Sequence, residues 1–376
     1  MEKQERVKNA LLCKPVDEIP VFMSGTPQFF RKVAEQHHFE EDSLLNWEYC
    51  NYLNLDVVQL GHGSFYPVNM NLAKGTLYRD EFQRTHIVTD YYDEFCVPFP
   101  LQSSNKLNIS ELKEKWDKFR FPDPSLSKWI EPVSLVVKKN QELTDPLHVW
   151  GVINGPFEPT WQLLSDHWVN FFILAKRDFE LAKELIHKVA DYCIAAGTKL
   201  IDAGVNAIRI GDDYAINEGL MCAPTLWKEL IYPEQKRLVA GLKKEGGSDF
   251  PIILHSDGNL TEILSLLKQS GIDGLNPIQP GALDFEDVIN KVGDRLSLVG
   301  AFDLTYFLNQ LTEETRIAIK NEFNRLKTIV SNYNAKIKRD RLAGFCIGPT
   351  HQLQPKTFVE TFEFFVSLVH ESHISD

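Results

Sequence analysis

The sequence predicts an α/β protein built as a single (β/α)8 TIM barrel, with an inserted segment after the second strand. Eight short apolar runs occur along the 376 residues, and most of them are separated by stretches with helical patterning. Each run ends in glycine, proline or polar residues. Nearly continuous apolar strands are typical of a parallel sheet that is buried on both faces. Strands that alternate with helices form βα units, and eight such units close most simply as a barrel.

The elements follow in a regular order along the chain. The eight predicted strands are IPVFMSG from Ile19, LDVVQLG from Leu55, VWGVINGP from Val149, AIRIGDD from Ala207, PIILHSDG from Pro251, DGLNPIQP from Asp273, SLVGAFD from Ser297 and LAGFCIGP from Leu342. After the fifth run, apolar residues from Leu260 to Leu267 recur at the spacing of one helical face, and Gly271 follows as a C-terminal cap. Residues 224–244 and the stretch after Leu311 have the same helical character.

The connection between the second and third runs is too long for one helix, so we assign approximately residues 66–147 to an insertion. Two extended stretches flank the polar segment from Asp80 to Arg84, which predicts a β-hairpin. Residues 105–145 add a helical piece and loops that contain proline. Because the insertion follows a strand, we expect it over the C-terminal face, where barrel enzymes carry their chemistry. We expect one domain over residues 1–376.

Composition excludes several classes of protein. Lys and Arg number 40 against 52 Asp and Glu, so the net charge is −12, which argues against a nucleic-acid partner. The six cysteines have no regular spacing, as is typical of a reducing compartment. No signal peptide is evident, and no apolar stretch approaches the roughly 18 residues that would cross a membrane. We therefore expect a cytoplasmic enzyme with a small-molecule substrate, with no membrane partner.

The carboxyl ends of the predicted strands carry polar side chains, which would converge at one mouth of the barrel. The candidate substrate-binding residues are Ser24, Gln59, His62, Asn154, Glu158, Asn276 and Gln279. The candidate catalytic residues are Asp212, Asp213, Asp303 and His351. Of the two adjacent aspartates, one is expected to face the site while the other caps or pairs, and the sequence does not say which. Asp303 closes the seventh strand, where Thr305 could cap the segment that follows, so function and capping are both open there. His351 could be an ordinary loop histidine.

His255 and Asp257 are the strongest candidates for a functional pair, because side chains two positions apart at a strand end point to the same side. They could coordinate a metal or act as an acid–base pair. Alternatively, Asp257 caps the next helix and His255 bonds to a neighbouring strand. Cys346 lies between Gly344 and Gly348 on the last strand and could join His255 as a zinc ligand. A free cysteine of this kind is otherwise a small buried hydrophobic residue.

Several segments together resemble the uroporphyrinogen decarboxylase superfamily over nearly the whole chain. They are ERVKNALLCKPVDEIPVF, GTLYRDEF, AIRIGDDYAINEGLMCAP, the run from LHSDGNL to LVGAFD, and GPTHQLQP. The superfamily contains decarboxylases and methyltransferases that serve corrinoid proteins. Its decarboxylases bind a polycarboxylate porphyrinogen with arginines after the first strand, where SGTPQFFRKVAEQ offers only Arg31. They also carry an aspartate after the second strand, where this chain has Gln59-Leu60-Gly61-His62.

The resemblance to the methyltransferase branch implies a zinc site and a partner. That branch holds zinc with a His-x-Cys pair after the fifth strand and a second cysteine in the eighth. His255 and Cys346 match these positions, and Asp257 replaces the first cysteine, which implies a His255, Asp257 and Cys346 zinc site with an open fourth position. A zinc ion with fewer thiolate ligands is a stronger Lewis acid, suited to a methoxy-type oxygen. Asp212, Asp213 and His351 would then position substrate or transfer protons.

The expected function is methyl transfer between a small substrate and a cobalamin (corrinoid) cofactor that a partner protein carries. The chain is expected to be a monomer or a homodimer, the latter by resemblance to the decarboxylases. One alternative is a metal-free carboxy-lyase of the decarboxylase type. Another is a non-catalytic ligand-binding barrel, which would bind its ligand without His255 and Cys346.

Overall fold

The computed structural model describes residues 1–65, 72–89, 94–103, 107–337 and 342–374. The strands within these ranges are β1 (Val57–Gly61), β2 (Leu77–Arg79), β3 (Thr85–Ile87), β4 (Glu94–Cys96), β5 (His148–Asn154), β6 (Ala207–Gly211), β7 (Ala215–Ile216), β8 (Gly219–Leu220), β9 (Ile252–His255), β10 (Gly274–Asn276), β11 (Ser297–Val299) and β12 (Phe345–Cys346).

The α-helices are α1 (Lys3–Leu11), α2 (Pro27–His37), α3 (Leu45–Tyr52), α4 (Ile109–Lys118), α5 (Ser127–Asn140), α6 (Phe157–Leu164), α7 (Val169–Arg177), α8 (Phe179–Asp202), α9 (Pro224–Leu226), α10 (Tyr232–Gly246), α11 (Leu264–Leu267), α12 (Phe285–Val292), α13 (Glu313–Lys336) and α14 (Val359–Ile374). A π-helical turn covers Trp227–Ile231, and a 3-10 helix covers Leu304–Leu308. Among the residues that the structure describes, no helix combines the length and the apolar character needed to cross a bilayer.

Seven parallel strands form the central sheet, in the order β1-β5-β6-β9-β10-β11-β12. The first predicted strand forms isolated bridges instead, from Val21 to Ile347 and from Gly25 to Leu353. On its other side, the carbonyl of Val21 accepts a hydrogen bond from the amide of Asp56 at 3.0 Å, next to β1. This segment therefore connects the last strand to the first. The predicted (β/α)8 barrel class is confirmed.

Asp56 fixes the closing segment to the helix that covers the bottom of the barrel. Its side chain is buried, and one carboxylate oxygen accepts a hydrogen bond from the backbone amide of Val21 at 2.8 Å. The other oxygen accepts one from Arg6 Nη1, also at 2.8 Å. Because Arg6 belongs to α1, this ion pair holds α1 against the amino-terminal end of the barrel.

The insertion lies between β1 and β5 and contains a three-stranded antiparallel sheet, β2-β3-β4, together with α4 and α5. The predicted hairpin forms around Asp80 and Arg84, and β4 adds a strand that the sequence did not predict. Arg84 is fully buried and donates to Asp80 at 2.6 Å and to Gln162 of α6 at 3.0 Å. Asp80 also lies 2.9 Å from Nε2 of His86. This buried network fixes the insertion to the helix that follows β5.

A layer of apolar side chains fills the interior of the barrel below its mouth. It combines one residue from each of six parallel strands with Phe22 and residues of α1: Val57, Trp150, Ala207, Ile253, Val299, Cys346, Phe22, Val7, Ala10 and Leu11. Successive inward side chains on a strand lie two residues apart. The next inward positions toward the carboxyl ends are therefore those of Gln59, Arg209 and His255, which brings polar groups to the mouth.

Candidate functional site

His255, Asp257 and His351 form a cluster at the mouth of the barrel. Each offers one potential ligand atom, and the three atoms lie within 4.8 Å of one another. The imidazole rings of the two histidines are 5.7 Å apart between centroids, and Nε2 of His351 is 3.9 Å from a carboxylate oxygen of Asp257. His255 is buried at the end of β9, whereas 33% of the Asp257 side chain and 44% of the His351 side chain are exposed. The cluster is therefore anchored at its base and accessible from solvent.

Asn276 sets the orientation of His255. Its side-chain nitrogen donates to the carbonyl of Val299 at 2.9 Å, so its oxygen is directed toward the histidine. That oxygen lies 2.7 Å from Nδ1 of His255 and also accepts from Nε of Arg209 at 3.1 Å. Nδ1 of His255 also lies 2.5 Å from Nη2 of Arg209, which can only donate, so an acceptor and a donor compete for the same ring nitrogen. In the tautomer in which Nδ1 donates to Asn276, Nε2 carries the lone pair on the other side of the ring. This is the arrangement by which proteins orient a metal-binding imidazole.

The electrostatic environment favours the neutral form of both imidazoles. Burial and the positive charge of Arg209 lower the pKa of His255 well below its usual value. Partial burial and the charge of Arg209 also lower the pKa of His351, and the negative charge of Asp213 opposes this shift. Burial raises the pKa of Asp257 to about 6, so this carboxyl is still mostly ionised at pH 7. Two neutral imidazoles and one carboxylate suit zinc, whose catalytic sites use three protein ligands and an open fourth position. The residues present therefore fit the metal.

Cys346 does not belong to this cluster, in contrast to the predicted zinc ligand set. The thiol is fully buried in the apolar interior layer, and burial raises its pKa well above the usual value. The next inward position on the last strand is Gly348, and the chain reaches the mouth only at His351. In the structure, His351 takes the place that we expected for Cys346.

The two adjacent aspartates have different surroundings. Asp212 accepts hydrogen bonds from the backbone amides of Phe157 and Glu158, at 3.1 and 2.7 Å, and so caps the first turn of α6. Its pKa is raised to about 7 by burial. Asp213 instead accepts a hydrogen bond from the amide of Asp257 at 3.0 Å, and burial together with the charge of Asp257 raises its pKa to about 6. Asp213 is thus the one beside the cluster, and Asp212 supports α6.

Glu158 adds a carboxyl group with a raised pKa to this region. Burial raises its pKa well above the usual value, and the negative charges of Asp213, Asp212 and Asp257 raise it further. A carboxyl group that retains its proton at neutral pH can donate that proton to a bound substrate. The mouth therefore combines a potential acid with ionised carboxylates.

A cavity of about 100 Å³ lies beside the cluster. Its lining residues are Ser24, Gly25, Asn46, Gln59, Gly61, Val152, Arg209 and Gln352. Ser24 and Gln59 were predicted substrate-binding residues. Arg209 connects the cavity to the cluster, because its Nη2 lies 2.5 Å from Nδ1 of His255.

The URO-D model, which describes uroporphyrinogen decarboxylase, matches residues 106–372, well over half of the chain. The chain belongs to the uroporphyrinogen decarboxylase family. The predicted resemblance is therefore confirmed.

Two curated relatives of this URO-D family member have different activities. Methylcobamide:CoM methyltransferase MtbA of Methanosarcina acetivorans is 25% identical over 157 residues, which are 42% of this chain and 43% of that protein. A uroporphyrinogen decarboxylase of Saccharophagus degradans is 30% identical over 125 residues, which are 33% of each chain. The chain thus matches less than half the length of either relative.

Solved structures support the URO-D fold. A methyltransferase from Methanosarcina mazei aligns over 99% of both chains with a TM-score of 0.68 and 18% identity. A B12-independent methionine synthase from Shewanella sp. W3-18-1, in complex with selenomethionine, aligns over 95% of both chains with a TM-score of 0.53 and 12% identity. At these identities, the likeness establishes the fold alone.

Three predicted site residues of this URO-D barrel make structural contacts instead. Both ring nitrogens of His62 are engaged, Nδ1 with Ser64 Oγ at 2.6 Å and Nε2 with the carbonyl of Pro124 at 2.9 Å. Asp303 caps the 3-10 helix by accepting from the amide of Thr305 at 2.8 Å, so the capping residue is Asp303 and not Thr305. Gln279 accepts from the amide of Gly258 at 2.8 Å and donates to Asn217 at 3.1 Å, so it braces two loops. Asn154 is buried at the end of β5, and its side-chain oxygen has no partner among the described residues.

Arg209, Asn46 and Gln352 are the polar lining residues that the sequence did not predict. Arg209 carried a usable signal, because it stands alone in the apolar run AIRIG of β6. A charged residue in the middle of a buried strand requires a polar destination inside the protein. Asn46 and Gln352 lie on a helix and a loop without a comparable pattern.

Proposed function

We propose that this protein is a metal-dependent methyltransferase that moves a methyl group between a small substrate and a corrinoid carried by a partner protein. The observation that carries the proposal is the cluster of His255, Asp257 and His351 at the mouth of a URO-D family barrel. The similarity to a methylcobamide:CoM methyltransferase supports the reaction class.

The residues that would hold zinc are His255, Asp257 and His351. When bound, zinc supplies Lewis acidity toward a substrate heteroatom such as a methoxy oxygen, and more so here because no ligand is a thiolate. In the tautomer in which Nδ1 of His255 donates to Asn276, the Nε2 lone pair would be left for the metal. The exposed portions of Asp257 and His351 leave the cluster open to a cofactor that arrives on another protein.

Glu158 is our candidate for the proton donor. When a methyl–oxygen bond breaks, the methyl group passes to the corrinoid without its bonding electrons, and the electron pair stays on the oxygen. The oxygen then requires a proton, which we assign to Glu158 because its raised pKa favours the protonated form. After each turnover Glu158 must take up a new proton from solvent. The negative charges of Asp213 and Asp257, which raise its pKa, would favour that uptake.

Metal analysis and mutation of His255 test the proposal. We expect purified protein to contain zinc in amounts equimolar with the chain and to convert cob(I)alamin to methylcobalamin in the presence of a methyl donor, followed by absorbance. His255→Ala should lose both the metal and the conversion. His187→Ala is the matched control, because this histidine is exposed on α8 and pairs with Glu234. A protein that binds no metal, or a His255→Ala variant with full activity, would contradict the proposal.

A decarboxylase is the second candidate, favoured by the relative that is 30% identical to part of this chain. A polycarboxylate substrate requires several cationic partners. The mouth has acidic groups at Glu158, Asp213 and Asp257, and Arg209 is the one cation among the residues that line the cavity. This charge pattern favours the methyltransferase. Turnover of uroporphyrinogen by purified protein would reverse the choice.

A further inference from the structure

The cavity beside the cluster is small and polar. Its volume of about 100 Å³ is below the roughly 150 Å³ of an engineered cavity that holds benzene, so it accepts only a small group. Ser24, Gln59 and Gln352 give it neutral polar walls, and Arg209 contributes the single formal charge among its lining residues. The cavity thus presents one positive charge in a setting of hydrogen-bonding groups.

Gln59, which lines this cavity, carries a side-chain acceptor without a hydrogen-bond partner among the described residues. Its side chain is buried, with 8% of the residue exposed. The side-chain nitrogen donates to the carbonyl of Met23 at 3.1 Å, which fixes the orientation of the amide. The other atom, Oε1, is buried and has no hydrogen-bond partner among the described residues. Because a buried acceptor without a partner is unfavourable, this oxygen indicates a ligand that carries an O–H or N–H donor.

The position of Arg209 links this cavity to the proposed reaction. The guanidinium donates from Nε to Asn276, and Asn276 orients His255. A group that contacts Arg209 in the cavity therefore touches a residue that itself contacts both Asn276 and His255.

We propose that the cavity binds the carboxylate of a small substrate, and that a neighbouring hydroxyl or N–H group of the same substrate donates to Gln59 Oε1. Arg209 pairs with the carboxylate, since guanidinium and carboxylate form strong charge-assisted hydrogen bonds. This inference rests on the proposed function, because it names the class of substrate whose methyl-bearing atom would lie at the cluster.

Calorimetric titration of the protein after treatment with a metal chelator tests this site separately from the metal. The probes are glycolate, which has both a carboxylate and a hydroxyl, acetate, which lacks the hydroxyl, and glycolamide, which lacks the charge. We expect glycolate to bind about fivefold more tightly than acetate and about tenfold more tightly than glycolamide, from the strengths of one neutral and one charged hydrogen bond. Equal affinities for glycolate and glycolamide, or no binding of glycolate, would overturn the proposal.

Two variants of Gln59 sharpen the test. Gln59→Met removes the acceptor, so it should reduce the affinity for glycolate to that for acetate. Gln59→Glu places a negative charge beside the carboxylate and should weaken both anions by about tenfold or more while sparing glycolamide. An unchanged preference for glycolate in Gln59→Met, with zinc affinity retained as evidence of an intact mouth, would refute the role of Gln59. A negative result in these titrations overturns the carboxylate site without contradicting the proposed methyl transfer. A positive result supports the site whether or not the protein transfers a methyl group.

Discussion

Replacing Asn276 with leucine tests whether the structure orients His255 as a metal ligand. Leucine has a similar size but removes the oxygen that lies 2.7 Å from Nδ1 of His255. The same oxygen accepts from Nε of Arg209, so the guanidinium also loses a partner. His255 then loses the acceptor that favours the tautomer with its proton on Nδ1, and only the donor Arg209 Nη2 remains beside that nitrogen. The three proposed metal ligands themselves remain unchanged.

The expected loss of zinc affinity follows from the hydrogen bond between Asn276 and the proposed ligand His255. Removal of a hydrogen-bond partner from a metal-binding imidazole typically weakens metal affinity by 10–100-fold. For Asn276→Leu, this corresponds to about 1.4–2.8 kcal/mol of zinc binding free energy. Competition with a chromophoric zinc chelator at pH 7 measures the change directly.

Asn154→Leu provides the matched control. Asn154 is also a buried asparagine at the carboxyl end of a barrel strand, but its side-chain oxygen has no partner among the described residues. This variant should bind zinc with nearly the affinity of the unmodified protein. If Asn276→Leu keeps full affinity, or if both variants lose it equally, the argument that Asn276 orients a ligand fails.

Three further predictions concern the supports of the site. Gly155→Ala places a methyl group 2.4 Å from a carboxylate oxygen of Asp212, so it should lower the free energy of unfolding by about 1–3 kcal/mol in urea titrations; an unchanged midpoint would show that the first turn of α6 is not constrained there. Arg84→Met leaves the buried carboxylate of Asp80 without its main partner and should cost about 3–5 kcal/mol in the same assay. If the free energy of unfolding of Arg84→Met equals that of the unmodified protein, the pair of Arg84 and Asp80 does not stabilise the insertion. Glu158→Gln should reduce the rate of methyl transfer by about 100-fold or more with zinc content unchanged, since only the transferable proton is removed; full activity would exclude Glu158 as the acid.

The barrel was predictable because its strands are apolar runs whose order along the chain is simple. Seven of the eight predicted runs contain a strand of the central sheet. The remaining one, the first along the chain, forms isolated bridges between the last strand and the first. The third strand of the insertion, Glu94–Cys96, was missed because it is short and partly exposed and has no apolar pattern. The pairing of His255 with Asp257 was predictable from their spacing alone.

The third member of the cluster was not predictable from spacing. Counting by twos places Cys346 on the inward side of its strand, in agreement with its position in the interior layer. Counting cannot give its height along the barrel axis, because barrel strands are tilted and staggered relative to one another. His351 reaches the mouth through a loop, whose path depends on tertiary contacts. The roles of Asp212 and Asp213 likewise depended on where the first turn of α6 packs.

The position of Cys346 has a practical consequence for the chemical resistance of the protein. Peroxide and iodoacetamide react with thiolates that solvent can reach. The potential ligand atoms at the mouth are nitrogen and oxygen, and the sulfur of Cys346 is enclosed beneath them with its pKa raised. Purification in air or treatment with alkylating reagents should therefore leave the metal-binding groups chemically intact, under conditions that would destroy a thiolate-ligated centre.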